Sequence, residues 1–111
     1  AIGGPNGPSK SRHISIQDIL DIITGFYDTR LSDLLSKKRH KSITTPRQVG
    51  MWLARKHTRF SLEEIGGYFG GRDHTTVMHA IKTIDVKIAS DAVFHKDIEK
   101  LGAKLSDLNE G

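Results

Sequence analysis

The sequence predicts an all-α domain, and three observations predict it. Apolar residues recur at helical spacing along most of the chain, helix-start signatures precede several of those stretches, and nowhere do apolar and polar residues alternate as in a half-buried strand. With 111 residues the chain is one compact domain by size, long enough for a modest core and for six or seven helices.

The elements follow in order. Residues 1–11, with Gly3, Gly4, Pro5, Gly7 and Pro8, read as a linker or a cloning remnant, which leaves 12–111 as the folded domain. A first helix starts near Ser15, where Ile14 and Ile19 are placed to staple across the cap, and Ile16, Ile19, Leu20, Ile23 and Phe26 share one face. Leu31, Leu34 and Leu35 mark a short second helix. The basic loop Ser36-Lys37-Lys38-Arg39-His40-Lys41-Ser42 comes next. Thr45-Pro46-Arg47-Gln48 reads as a helix start: Thr45 caps, Pro46 takes the first helical position and Gln48 closes a capping box. Val49, Trp52 and Leu53 give that helix its buried stripe.

Ser61-Leu62-Glu63-Glu64 is a second capping box, opening a short helix through Ile65 to about Phe69. Gly70-Gly71 then makes a tight turn, and Asp73 caps a helix whose apolar face is Val77, Ala80, Ile81, Ile84 and Ile88. Asp91 caps a last helix carrying Phe94, Ile98, Leu101 and Leu105. Gly50, Gly66 and Gly67 fall inside helical stretches, where each costs ~1 kcal/mol relative to Ala; close packing around them is the expected reason.

Composition excludes several classes of function. The absence of cysteine rules out disulfides and thiolate metal sites and fits a reducing cytoplasm. No apolar run is long enough to span a membrane, and no signal-peptide pattern appears. Catalysis is not expected. Asp73 and His74 are helical neighbours whose side chains diverge by about 100°, so they form no dyad. His74 and His79 have a poor spacing for sharing a metal, and no metal site is expected. Trp52 reads as core, and Phe26, Tyr27, Tyr68 and Phe69 read as core or rim, rather than as a stacking platform for single strands.

Charge is segregated. Between Asp33 and Glu63 lie Lys37, Lys38, Arg39, Lys41, Arg47, Arg55, Lys56 and Arg59 and no acid, whereas the remaining nine cations face thirteen acids. That is the footprint of a surface that meets a polyanion. The glycine turn separates a short helix from a second one whose first turn, His74-Thr75-Thr76, offers donors, acceptors and methyl groups suited to base edges in a major groove. A short helix, a tight turn and a polar-tipped helix stand in the order of a Trp-repressor-like helix-turn-helix.

The run Leu34-Leu35-Ser36-Lys37-Lys38-Arg39, then Pro46-Arg47-Gln48, then Ser61-Leu62-Glu63-Glu64-Ile65-Gly66, then Phe69-Gly70-Gly71-Arg72-Asp73-His74-Thr75-Thr76-Val77-Met78-His79-Ala80, resembles the C-terminal DNA-binding domain of DnaA, the bacterial replication initiator family. The resemblance covers roughly residues 14–105. It implies binding of short asymmetric A·T-containing boxes in double-stranded DNA at a replication origin. Arg39 then matches the loop arginine that enters the minor groove, and Asp73, His74 and Thr75 match the residues that touch base edges. Lys41, Arg47, Gln48, Arg55, Thr58, Thr76 and His79 match positions associated with phosphate. One departure is Glu63, where many relatives carry a proline. The resemblance also implies no cofactor in this chain, ATP belonging to a separate preceding domain. A monomeric state and a cytoplasmic, nucleoid-associated location are the corresponding expectations.

Two rival readings stay open. A helix-turn-helix transcription regulator shares the motif but usually binds palindromes as a dimer. A protein-interaction module with a basic face would bind DNA weakly and without preference for sequence.

Overall fold

A computed structural model describes residues 14–110, and the proposed linker at 1–11 lies outside them. Among the described residues six helices follow one another without a strand: α1 (Ile16–Tyr27), α2 (Leu31–Leu34), α3 (Lys41–His57), α4 (Leu62–Tyr68), α5 (His74–Ser90) and α6 (Ala92–Glu110). No helix among them is long and apolar enough to cross a membrane.

α3 is the hub, packing against all the other helices, while α5 lies against α3, α4 and α6. The core is continuous. Ile19, Ile23, Leu34, Val49, Leu53, Ile65, Phe69, Val77, Leu101 and Leu105 are all fully buried in it. Each of the apolar faces expected of α1, α5 and α6 supplies it. Burial of side chains this size stabilises by roughly 1.5–3 kcal/mol each before conformational entropy is charged.

Capping chemistry fixes most helix starts where the sequence places them. Ser15 and Asp18 close a box at α1, and Ser61 and Glu64 close another at α4. Asp91 Oδ1 accepts from the amides of Val93 and Phe94 at 3.1 Å and so opens α6.

The start of α3 differs from the expectation. It begins at Lys41, not at Thr45-Pro46, with His40 as the flanking residue and Pro46 inside the helix. The extra turn buries Ile43 one turn before Pro46, extending the stripe that runs through Val49, Gly50 and Leu53. Pro46 has no N–H for the Ser42 carbonyl. That loss is small here, because Ser42 is exposed and water can serve its carbonyl. Lys41 and Ser42 are therefore helical, and the basic loop is shorter than the sequence suggests.

Trp52 also departs from its expected place in the core. It is only half-buried at the core rim, and its Nε1 donates to Asp85 Oδ1 at 2.7 Å, tying α3 to α5. The Lys56 ammonium sits over its ring, 5.5 Å from the centroid. An indole at a rim keeps its N–H satisfied while its body packs.

Candidate nucleic-acid interface

The helix-turn-helix is built from α4, the turn at residues 69–73 and α5. Gly70 and Gly71 have φ of 88° and 78°, the left-handed region open to glycine at little cost. The turn folds back so tightly that the amides of Gly71 and Arg72 both donate to the Gly66 carbonyl, at 3.1 and 2.9 Å. A side chain on Gly70 would collide with the Leu35 carbonyl, so the turn also lies against the segment that follows α2.

Asp73 performs the capping role expected of it, its Oδ1 accepting from the Thr76 amide at 2.9 Å. That amide and the Thr76 hydroxyl hold the Asp73 carboxyl below the usual carboxylate range, so it stays ionised near neutrality. His74, Thr75, Thr76 and His79 are all exposed on the first turns of α5, while Val77 and Ala80 behind them are buried. The helix thus has a polar outer tip on a buried seat.

The cationic residues divide into those facing out and those turned in. Arg39 is exposed in the loop and Lys41 is exposed on the first turn of α3. Arg55 is exposed near the end of α3, with one contact to the Phe60 carbonyl at 3.3 Å. Gln48, Thr76 and His79 line a shallow cleft of about 100 Å³ between α3 and α5, together with Thr44, Met51 and Arg72. Arg47 lines the same cleft, so four of the expected phosphate residues meet across one groove.

Arg47 is not among the outward-facing cations. It is 5% exposed, and its guanidinium donates to the carbonyls of Leu34 at 2.7 Å and of Lys38 and Asp33 at 3.0 Å. Burial, with Arg72 nearby, pulls its pKa below the ordinary guanidinium value. The physical reason is periodicity: Arg47 stands one turn after Ile43 and one turn before Gly50 and Met51, on the buried face of α3. Its guanidinium fastens the loop backbone to α3.

Thr58 is likewise committed. Its hydroxyl donates to the Ala54 carbonyl and accepts from the Phe60 amide at 3.2 Å, finishing α3.

Arg72, to which the sequence pattern assigns no role, ties two segments of the interface together. Its guanidinium donates to the carbonyls of Phe69 and Ser36, bridging the glycine turn and the basic loop. Its position between the glycine pair and the capping Asp73, in a turn and not on a helix face, was the available signal.

A basic loop fastened beside a glycine turn, in front of a polar-tipped helix seated on a core, is the layout of a DNA-reading helix-turn-helix. Residues 16–84 match the helix-turn-helix family of the bacterial DnaA protein. The chain belongs to that family. The match spans α1 to the middle of α5 and contains every expected site residue; α6 lies beyond it. Membership makes this a DNA-binding domain of replication initiation. Among the described residues no cluster of His, Asp and Glu is placed to hold a metal.

Proposed function

We propose that the domain reads short asymmetric A·T-containing boxes of double-stranded DNA at a replication origin, with α5 in the major groove and Arg39 in the adjacent minor groove. The observation that carries this reading is the exposed polar tip of α5, His74 and Thr75 beside the Asp73 cap, on a helix whose opposite face is buried. A helix that merely packed would not keep its first turn so exposed and polar. Thr75 brings a methyl group to a thymine methyl, and His74 brings a ring donor or acceptor to a base edge. The ionised Asp73 accepts from a cytosine or adenine amino group through the oxygen not used for capping.

Lys41, Gln48, Arg55, Thr76 and His79 form the phosphate-holding set, while the polar groups of Arg47 and Thr58 are bound to backbone. The first turn of α3 supports their placement. No side chain caps it, so its leading amides add to the pull of Lys41 on a phosphate. Phosphate contacts fix the register of the helix and carry no base information directly. A guanidinium is favoured in a narrow A·T-rich minor groove, where the negative potential is concentrated.

In this reading one copy of the domain binds one box, without cofactor; ATP use belongs to a separate domain. Fluorescence-anisotropy titrations against a box duplex and its scrambled counterpart, at several salt concentrations, test it. A preference of ~10³-fold or more with a steep salt slope is expected. Equal affinity for the two duplexes would reduce the domain to a sequence-indifferent DNA coat.

A further inference from the structure

We infer that Arg72, acting with Arg47, sets the position of the basic loop and thereby the reach of Arg39 relative to the tip of α5. This rests on the reading of Arg39 and α5 as the two DNA readers. The loop is fastened through its own backbone. Arg47 takes the carbonyls of Asp33, Leu34 and Lys38, and Arg72 takes that of Ser36. The Ser36 hydroxyl adds two further ties, donating to the Asp33 carbonyl at 2.7 Å and accepting the Lys38 amide at 3.2 Å. Arg39 is the residue directly after the last fastened carbonyl, and it is exposed.

The two guanidiniums divide the work. Arg47 binds the loop to the hub helix α3, whereas Arg72 binds it to the turn of the helix-turn-helix, since its other nitrogen holds the Phe69 carbonyl. Asp73, next in the chain, caps α5. One planar fork therefore joins the loop that presents Arg39 to the backbone that presents His74 and Thr75. A lysine at this place keeps the charge but not the fork, because an ammonium is a point donor on a flexible stem. Arg72 is thus a positioning residue, acting on DNA through Arg39.

The test uses Arg72→Lys and Arg72→Met, each checked for cooperative unfolding, in two measurements. First, backbone amide relaxation of residues 37–40 is recorded without DNA. The native loop is expected in the rigid range of order parameter, about 0.85, and both variants below about 0.6 with α5 unchanged. A loop already mobile in the native domain, or equally ordered in the variants, overturns the inference whatever DNA does. Second, preference for the box over a duplex with its A·T end replaced by G·C is measured for Arg72→Lys, Arg39→Ala and the double variant. Arg72→Lys is expected to cost about tenfold of that preference alone and almost nothing further in the Arg39→Ala background. Full additivity of the two losses overturns it. A native domain without any box preference would instead defeat the proposed function, leaving the relaxation measurement to decide the positioning role.

Discussion

The carbonyl of Arg72 lies against the α-carbon of Gly66, so close that no side chain fits between them. The contact lets the turn return onto α4, where the Gly66 carbonyl receives the amides of Gly71 and Arg72. Behind it, a side chain at Gly66 would also come within 3.3 Å of Val77 Cγ2, on the buried face of α5. The angle between the two helices of the motif therefore depends on one missing methyl group.

Neighbouring glycines give this a sharp test. Gly66→Ala must push backbone aside and is expected to destabilise the domain by at least ~1–3 kcal/mol. Gly67, one residue on, has nothing within 4 Å of where its side chain would go. Gly67→Ala is expected to stabilise by up to ~1 kcal/mol through helix propensity. Chemical denaturation of the two variants should move in opposite directions, and a loss of stability at both would refute the assignment.

Arg47 and Gln48 are adjacent in the chain and should separate in experiment. Arg47→Met leaves the carbonyls of Asp33, Leu34 and Lys38 without their donor, each worth ~1–3 kcal/mol if left unsatisfied, less whatever water reaches. A marked fall in unfolding free energy is expected. Gln48→Ala should leave unfolding nearly unchanged and weaken DNA binding alike across sequences, as loss of a phosphate contact does. Retained stability in Arg47→Met would mean that the loop does not need its clamp.

Much of this was legible in the chain. Capping residues announce α1, α4, α5 and α6, because Ser15, Ser61, Asp73 and Asp91 act through amides only two or three residues away. The start of α3 was not, since Thr45-Pro46 is a good local start, whereas the helix begins a turn earlier and buries Ile43. Packing also decides two of the three helical glycines that the sequence singles out, Gly50, Gly66 and Gly67. Gly50 faces the Phe69 ring, 2.8 Å from a would-be side chain, and Gly66 faces the turn, but Gly67 is open. The outward residues of the interface read correctly as exposed because helical periodicity places them. The roles of Arg47 and Arg72 depend on carbonyls far away in sequence, which no local pattern encodes.

His57 gives the domain a pH dependence of known sign. It ends α3 and packs beside Gly102 of α6, and burial lowers its pKa from the ordinary 6.5. The unfolded chain then binds the proton that the folded domain resists. Stability from this group is present above about pH 6.5 and is lost as pH falls through that value towards the lowered folded one. The side chain is only partly covered, so solvent screening keeps the effect small. Denaturation midpoints measured across this window should decline towards acid, and His57→Gln should flatten the decline. An unchanged slope in His57→Gln would place the proton elsewhere.

The tip of α5 carries the last prediction, because capping and reading overlap there. Asp73 holds the Thr76 amide, whereas His74 and Thr75 are exposed and stand outside the cap. His74→Ala and Thr75→Ala should therefore keep native stability within ~0.5 kcal/mol, the usual range for surface substitutions. Each should cost ~1–3 kcal/mol in discrimination between box and scrambled duplex, with affinity for the scrambled duplex almost unchanged. Asp73→Asn keeps an oxygen for the cap and removes the negative charge, so it should hold the helix while altering which base is accepted. Asp73→Ala should lose about 1 kcal/mol of stability as well, by loss of the cap. Competition titrations with single-base-pair substitutions along the box distinguish the cases. If His74→Ala and Thr75→Ala weaken every duplex by the same factor, these residues hold phosphate and the reading of bases must lie elsewhere on the domain.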